Sequence, residues 1–209
     1  MDGSSLLLFA LACLALNLIP GPDVIYIVSN TLRGKLSAGL QAALGLGVGY
    51  LFHTLAACLG LSAILLSSAL AFSVLKWLGA AYLLFLGVQA LRAMYRGGGQ
   101  LVLDQTKAPA KHNVFLQGVL VSVLNPKVAL FFLAFLPQFI DSASGSVASQ
   151  LLILGLVFCG LATICNMLYA ALGNWLFSRA NSQRYSRTLD GISGVLLIGL
   201  ASKIVLSER

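Results

Sequence analysis

Apolar residues in this chain run in long blocks separated by short polar breaks. A helix crossing a bilayer needs roughly 20 predominantly apolar residues. Six blocks meet that length, at about 5–28, 38–66, 74–94, 114–140, 147–177 and 189–206. The breaks at Ser29–Ser37, Arg92–Asn113 and Ser178–Asp190 are clear. Those at Ser67–Ser73 and Asp141–Ser146 are shorter. The first of these is nearly apolar, so the boundary between spans two and three is the least marked.

Two of the blocks are broken by proline. The first break is Asn17-Leu18-Ile19-Pro20-Gly21-Pro22-Asp23, and the second is Leu124-Asn125-Pro126-Lys127. Pro22 and Pro126 stand 104 residues apart, about half of the 209-residue chain. The same register lays Asp23 on Lys127, so an acid and a base hold equivalent places just after each break. Gly/Pro-interrupted hydrophobic segments at matching positions of two halves are the strongest sequence pointer to a transporter's binding site.

The expected fold is all-α and polytopic in the membrane: six transmembrane helices as two inverted three-helix repeats, with helices 1 and 4 broken. Three spans per half turn the second half upside down relative to the first, an arrangement that allows alternating access. Residues 1–96 form the first repeat and 114–209 the second. Residues 97–113, with Gly97-Gly98-Gly99 and Pro109, read as a flexible cytoplasmic tether.

Composition agrees. The chain is 59% hydrophobic and only 9% charged, with a mean hydropathy of +0.94. Soluble domains carry roughly 25% charged residues, so the bilayer is the expected solvent. The formal charge of +7 would suit nucleic acid, but the charges lie mostly in short loops, and no nucleic-acid partner is expected. Arg33 and Lys35, then Arg92, Arg96, Lys107 and Lys111, then Arg179, Arg184 and Arg187 fall on one side of the six spans. The excess of Lys and Arg marks that side as cytoplasmic and puts both termini in the periplasm. The N-terminus carries Asp2 rather than a basic cluster, so the first block reads as an uncleaved helix rather than a signal peptide. Cys13, Cys58, Cys159 and Cys165 all lie in apolar runs without a CxxC and read as small buried hydrophobes.

Proline lacks an amide hydrogen and opposes the helical turn. Two prolines around Gly21 therefore free carbonyls that lipid cannot satisfy, and irregular backbone at membrane depth persists only against protein or water. Asn17, one turn earlier, is expected to bond these freed groups. Asp23 and Lys127 are ionisable groups inside spans, which mark function by default. Snorkelling is the plainer reading for Asp23, and a structural ion pair is the plainer reading for both. Flanking one cavity, they would suit a zwitterionic amino acid, its ammonium toward Asp23 and its carboxylate toward Lys127 or a half-helix N-terminus. Pro20, Gly21, Pro22, Asn125 and Pro126 complete the expected translocation path. His53, with Tyr50 nearby on its helix, joins Asp23 as a candidate proton relay; a plain hydrogen bond across helices is its simpler role. Gln89, Gln117 and Asn166 are weaker path candidates. Gly45 and Gly49 form a GxxxG suited to close helix packing. Neither a metal site nor a cofactor is expected, because no ligand cluster stands out.

Assembled, these residues resemble the LysE/RhtB family of amino-acid exporters (lysine exporter and homoserine-threonine efflux type). The likeness is carried by Ile19-Pro20-Gly21-Pro22-Asp23, Asn125-Pro126-Lys127-Val128-Ala129-Leu130-Phe131-Phe132, Phe135-Leu136-Pro137-Gln138-Phe139 and Leu78-Gly79-Ala80-Ala81-Tyr82-Leu83. The resemblance implies a secondary transporter, not an enzyme, in the bacterial inner membrane. It would export amino acids or close derivatives, driven by the proton gradient or membrane potential. The implied partners are a small amino acid, a coupling proton and membrane lipid, with a homo-oligomer allowed. The alternatives are a transmembrane thiol/electron conductor and an exporter of another small solute or a metal ion. The conductor needs a cysteine pair from equivalent helices, and span four has no cysteine. An intramembrane enzyme needs a nucleophile beside its base, and Ser122 and Lys127 share a helix face poorly.

Overall fold

The computed structural model describes residues 3–19, 21–61, 69–96, 113–141, 145–176 and 182–206. Among the described residues the elements are all helical. Helix α1 covers Gly3–Leu18, and α2 covers Pro22–Ala56 and runs on as a π-helical turn, Ala57–Leu61. Helix α3 is Ala69–Tyr95 and α4 is Val114–Val123. Helix α5, Pro126–Leu130, continues through a π turn, Phe131–Phe135, into a 3-10 turn, Leu136–Phe139. Helices α6, Val147–Leu176, and α7, Ser182–Leu206, complete the order.

Both proline breaks are where the sequence places them. Pro22 opens α2 and Pro126 opens α5, the position where a missing amide hydrogen costs nothing and the fixed φ suits a helix. Asn125 caps α5, its side chain accepting the Lys127 amide at 3.0 Å. The segments Val114–Val123 and Pro126–Phe139 are bent by 46° across this break. Pro20 and the greater part of the expected tether (97–112) lie outside the described residues.

The expected loop Ser29–Ser37 is much shorter than the sequence suggests. Helical structure runs through it, interrupted only at Gly34 (φ −120°, ψ 19°) and Lys35 (φ 61°, ψ −173°). Asn30 and Thr31 extend the first arm by bonding back to the carbonyls of Tyr26 and Ile27, at 2.8 and 3.0 Å. Polar side chains here return to their own helix, so a polar stretch does not end it.

By length and apolarity, Pro22–Gly60 and Val147–Gly173 can each cross a bilayer, and the bent pair makes a third candidate. Ser5–Leu18 and Ala80–Tyr95 are shorter apolar helices. Helix α2 packs on α4 and α6, α3 packs on α7, and α1 lies against α6 and α7. The GxxxG serves the α2–α4 crossing. A Cβ added at Gly45 would run into the Phe115 carbonyl, and one at Gly49 into Ser122. Small residues are what permit this approach.

The core is largely apolar, but polar side chains are buried within it while large apolar ones cover the outside. Asn17, Asp23, Thr54, Ser122, Asn125, Lys127, Asn166 and Asp190 are buried. Leu59, Leu70, Leu124 and Phe85 face outward, with Leu59 80% exposed. Such an apolar exterior is stable only in lipid, and the chain is a membrane protein. An aromatic cluster of Phe9, Phe131, Phe135, Phe139 and Phe158 fills the interior beside the breaks, with Phe131 and Phe135 centred 4.8 Å apart.

Candidate functional site

The freed carbonyls locate the site. In an unbroken helix the Leu16 carbonyl would accept from residue 20, and Leu18 from residue 22. Both partners are prolines without that hydrogen. Lys127 Nζ donates to Leu16 O at 3.3 Å and to Ile19 O at 3.1 Å. The Tyr169 hydroxyl lies 3.3 Å from Leu18 O and 3.4 Å from Asn17 O, donating between them. At the second break Pro126 likewise frees the Ser122 carbonyl. His53 Nε2 donates to it at 3.0 Å, and the Asn125 amide bonds the same oxygen at 3.0 Å. Side chains from distant helices thus replace each amide that proline removed.

Asp23 and Lys127 meet directly. Lys127 Nζ donates to Asp23 Oδ1 at 3.3 Å and lies 3.3 Å from Oδ2. Both residues are buried, so Asp23 does not snorkel. Helix ends explain the choice of partners. Asp23 occupies the first turn of α2, where unpaired N–H groups favour an anion. Lys127 starts α5, the wrong end for a cation, and its stem carries the ammonium to the C-terminal carbonyls of α1. Gly21 leaves room for this. A Cβ there would lie 2.8 Å from Asp23 Oδ1 and 3.1 Å from Lys127 Nζ.

Asn17 departs from expectation. Its side chain donates to Cys13 O at 2.7 Å within its own helix, because a helical side chain leans toward the preceding turn. It does not serve the freed carbonyls; Lys127 and Tyr169 do. His53 contacts the second break rather than Asp23, and its ring packs on Phe132 at 5.7 Å. Tyr50 points elsewhere, its hydroxyl accepting from Asn166 at 2.9 Å. Asn166 is therefore interior, while Gln89 and Gln117 are exposed.

Three buried polar atoms near the breaks have no hydrogen-bond partner: Asp23 Oδ2, Asn125 Nδ2 and Ser122 Oγ. Buried polar groups are bonded in the great majority of cases, so these three atoms are the open hydrogen-bonding positions at the breaks among the described residues. The sequence alone misses Ser122 and Tyr169 as members. The amides lost at the prolines show in the sequence that donors are needed there, but not which residues supply them.

A 32% identity over 200 residues links the chain to the Uncharacterized membrane protein YrhP of Bacillus subtilis, covering 91% of this chain and 93% of that one. An Uncharacterized membrane protein of Vibrio cholerae is 30% identical over 200 residues, covering 95% of each chain. No solved structure matches. The sequence pattern of the LysE type translocators matches residues 14–208, both proline breaks included. The chain belongs to the LysE type translocator family.

Proposed function

We propose that this translocator is a secondary transporter that exports amino acids or close derivatives across the bacterial inner membrane. The observation that carries this is the buried Asp23–Lys127 pair where two proline-broken helices meet, with three open polar atoms nearby. An acid and a base in one polar site match the two charges of a zwitterion. The substrate ammonium replaces Lys127 at Asp23. Its carboxylate takes Lys127 or a half-helix N-terminus, and Asn125 and Ser122 supply the neutral contacts. Asn17, Pro20, Gly21, Pro22 and Pro126 shape the path through the breaks. Transport draws on the proton gradient or membrane potential, with Asp23 as the proton acceptor and His53, bound at the second break, as the relay.

In this reading six spans form two inverted repeats, residues 1–96 and 114–209, joined by the cytoplasmic linker 97–113, with both termini periplasmic. Support comes from the packing. Helices α2 and α6 adjoin, as do α3 and α7, so spans two and three each lie against their counterparts. At the second of these crossings a Cβ on Gly87 would meet Gly194 O at 3.1 Å, and one on Gly194 would meet Gly87 O at 3.0 Å.

The test is growth of a bacterial strain overexpressing the chain under inhibitory concentrations of each amino acid, beside Lys127→Ala and Asp23→Asn. Resistance to one or a few amino acids, lost in both variants at matched membrane levels, is expected. Variants that insert normally and export every amino acid at the wild-type rate would sink the proposal.

A further inference from the structure

The Lys127 ammonium is surrounded by more oxygen than it has hydrogens to give. Leu16 O, Ile19 O, Asp23 Oδ1 and Asp23 Oδ2 lie 3.3, 3.1, 3.3 and 3.3 Å from Nζ. A lysine ammonium has three donors, and they go to the first three. Oδ2, on a residue only 1% exposed, is left without a hydrogen bond. All four oxygens come from the C-terminal end of α1, the break after it and the first turn of α2. Lys127 enters from the other half of the chain. The oxygen cage is therefore complete without it.

We propose that Leu16, Ile19 and Asp23 form a binding site for a small monovalent cation, which Lys127 fills with its own tethered ammonium group. The cage carries one formal negative charge plus carbonyl dipoles at a helix C-terminus. One positive charge neutralises it, whereas a divalent ion would leave an uncompensated buried charge. A spherical ion has no donor limit and can take all four oxygens, including Oδ2, once they close in from the 3.1–3.3 Å spacing that the ammonium sets. Unwound carbonyls and half-helix C-termini are suited to such ions. Gly21 keeps the space beside the cage open. A free cation in the cage sets Lys127 loose in the second half, so occupancy of one break is coupled to the charge available at the other. That coupling rests on the transport reading above; the binding does not.

The test uses purified Lys127→Ala in detergent, melted in sodium, methylammonium or choline chloride at equal ionic strength. Choline is the control, because its quaternary nitrogen is bulky and has no N–H. A melting point that rises by several degrees and saturates in sodium or methylammonium, but not in choline, is expected from linkage, with wild type alike in all three. A sodium response identifies an alkali-ion cage, and a methylammonium response identifies an ammonium cage. Equal melting in the three salts, or the same rise in Asp23→Asn/Lys127→Ala, would overturn the proposal. If Lys127→Ala does not fold in any salt, Lys127→Gln, whose amide ends one atom short of the ammonium, is read in the same series with the same outcomes. Transport is not measured, so a missing cation effect leaves the export proposal standing, and failed export leaves a cation effect standing.

Discussion

Gly21 is the most informative position to perturb, because one methyl group separates space from backbone freedom. Its φ of −141° and ψ of −170° are extended values that alanine adopts without strain, so Gly21→Ala tests volume alone. The new Cβ would lie 2.8 Å from Asp23 Oδ1, 3.1 Å from Lys127 Nζ and 3.5 Å from Lys127 Cε. Ordinary contact begins near 3.4 Å, so the carboxylate must retreat by about 0.6 Å from a position that is already buried. Overpacking of this kind costs about 1–3 kcal/mol. The touching atoms are side-chain ends rather than backbone, which favours the lower part, about 1–2 kcal/mol. For a chain of this size that is a fall in melting point of about 2–8 °C. The assay is thermal unfolding of the purified variant in detergent, repeated in an Asp23→Ala background. With the carboxylate gone, the nearest atom is gone, and the alanine should cost about 1 kcal/mol less. A Gly21→Ala protein that melts like wild type, or one that loses as much stability without Asp23 as with it, would refute the steric account.

Tyr169→Phe keeps the ring but removes the donor shared by Leu18 O and Asn17 O; it should lose about 1 kcal/mol, read as a lower melting point. His53→Phe keeps packing against Phe132 but drops the bond to Ser122 O. The Asn125 amide still serves that oxygen, so the loss should be about 0.5–1 kcal/mol; proton-driven export at the wild-type rate in this variant would exclude His53 as a relay. Lys35, at φ 61° and ψ −173°, occupies backbone space that favours glycine, so Lys35→Gly should relieve about 1 kcal/mol of strain and raise the melting point.

Much of the site was legible because its cause is local. A missing amide hydrogen at Pro20, Pro22 or Pro126 is a covalent fact, and it implies an orphaned carbonyl four residues earlier wherever it falls in a helix. The 104-residue register between Pro22 and Pro126 also put Asp23 opposite Lys127, and the two are in contact. The extent of helix α2 was less legible. The polar stretch Ser29–Ser37 looks like a loop, yet Asn30 and Thr31 turn their side chains back onto the helix. Asn17 shows the same effect, bonding Cys13 where service to the break was expected.

From the chain alone follow the bilayer as solvent, the two breaks and the need for donors at them. These depend on composition and on backbone chemistry within four residues. The tertiary structure decided which groups answer. Tyr169 reaches Leu18 across 151 positions, His53 reaches Ser122 across 69, and Lys127 reaches Leu16 across 111. Those partners are chosen by where helices cross, and the crossings depend on glycines such as Gly45, Gly49 and Gly118 letting backbones approach. A local pattern can specify an unsatisfied oxygen, but only packing can bring a particular hydrogen to it.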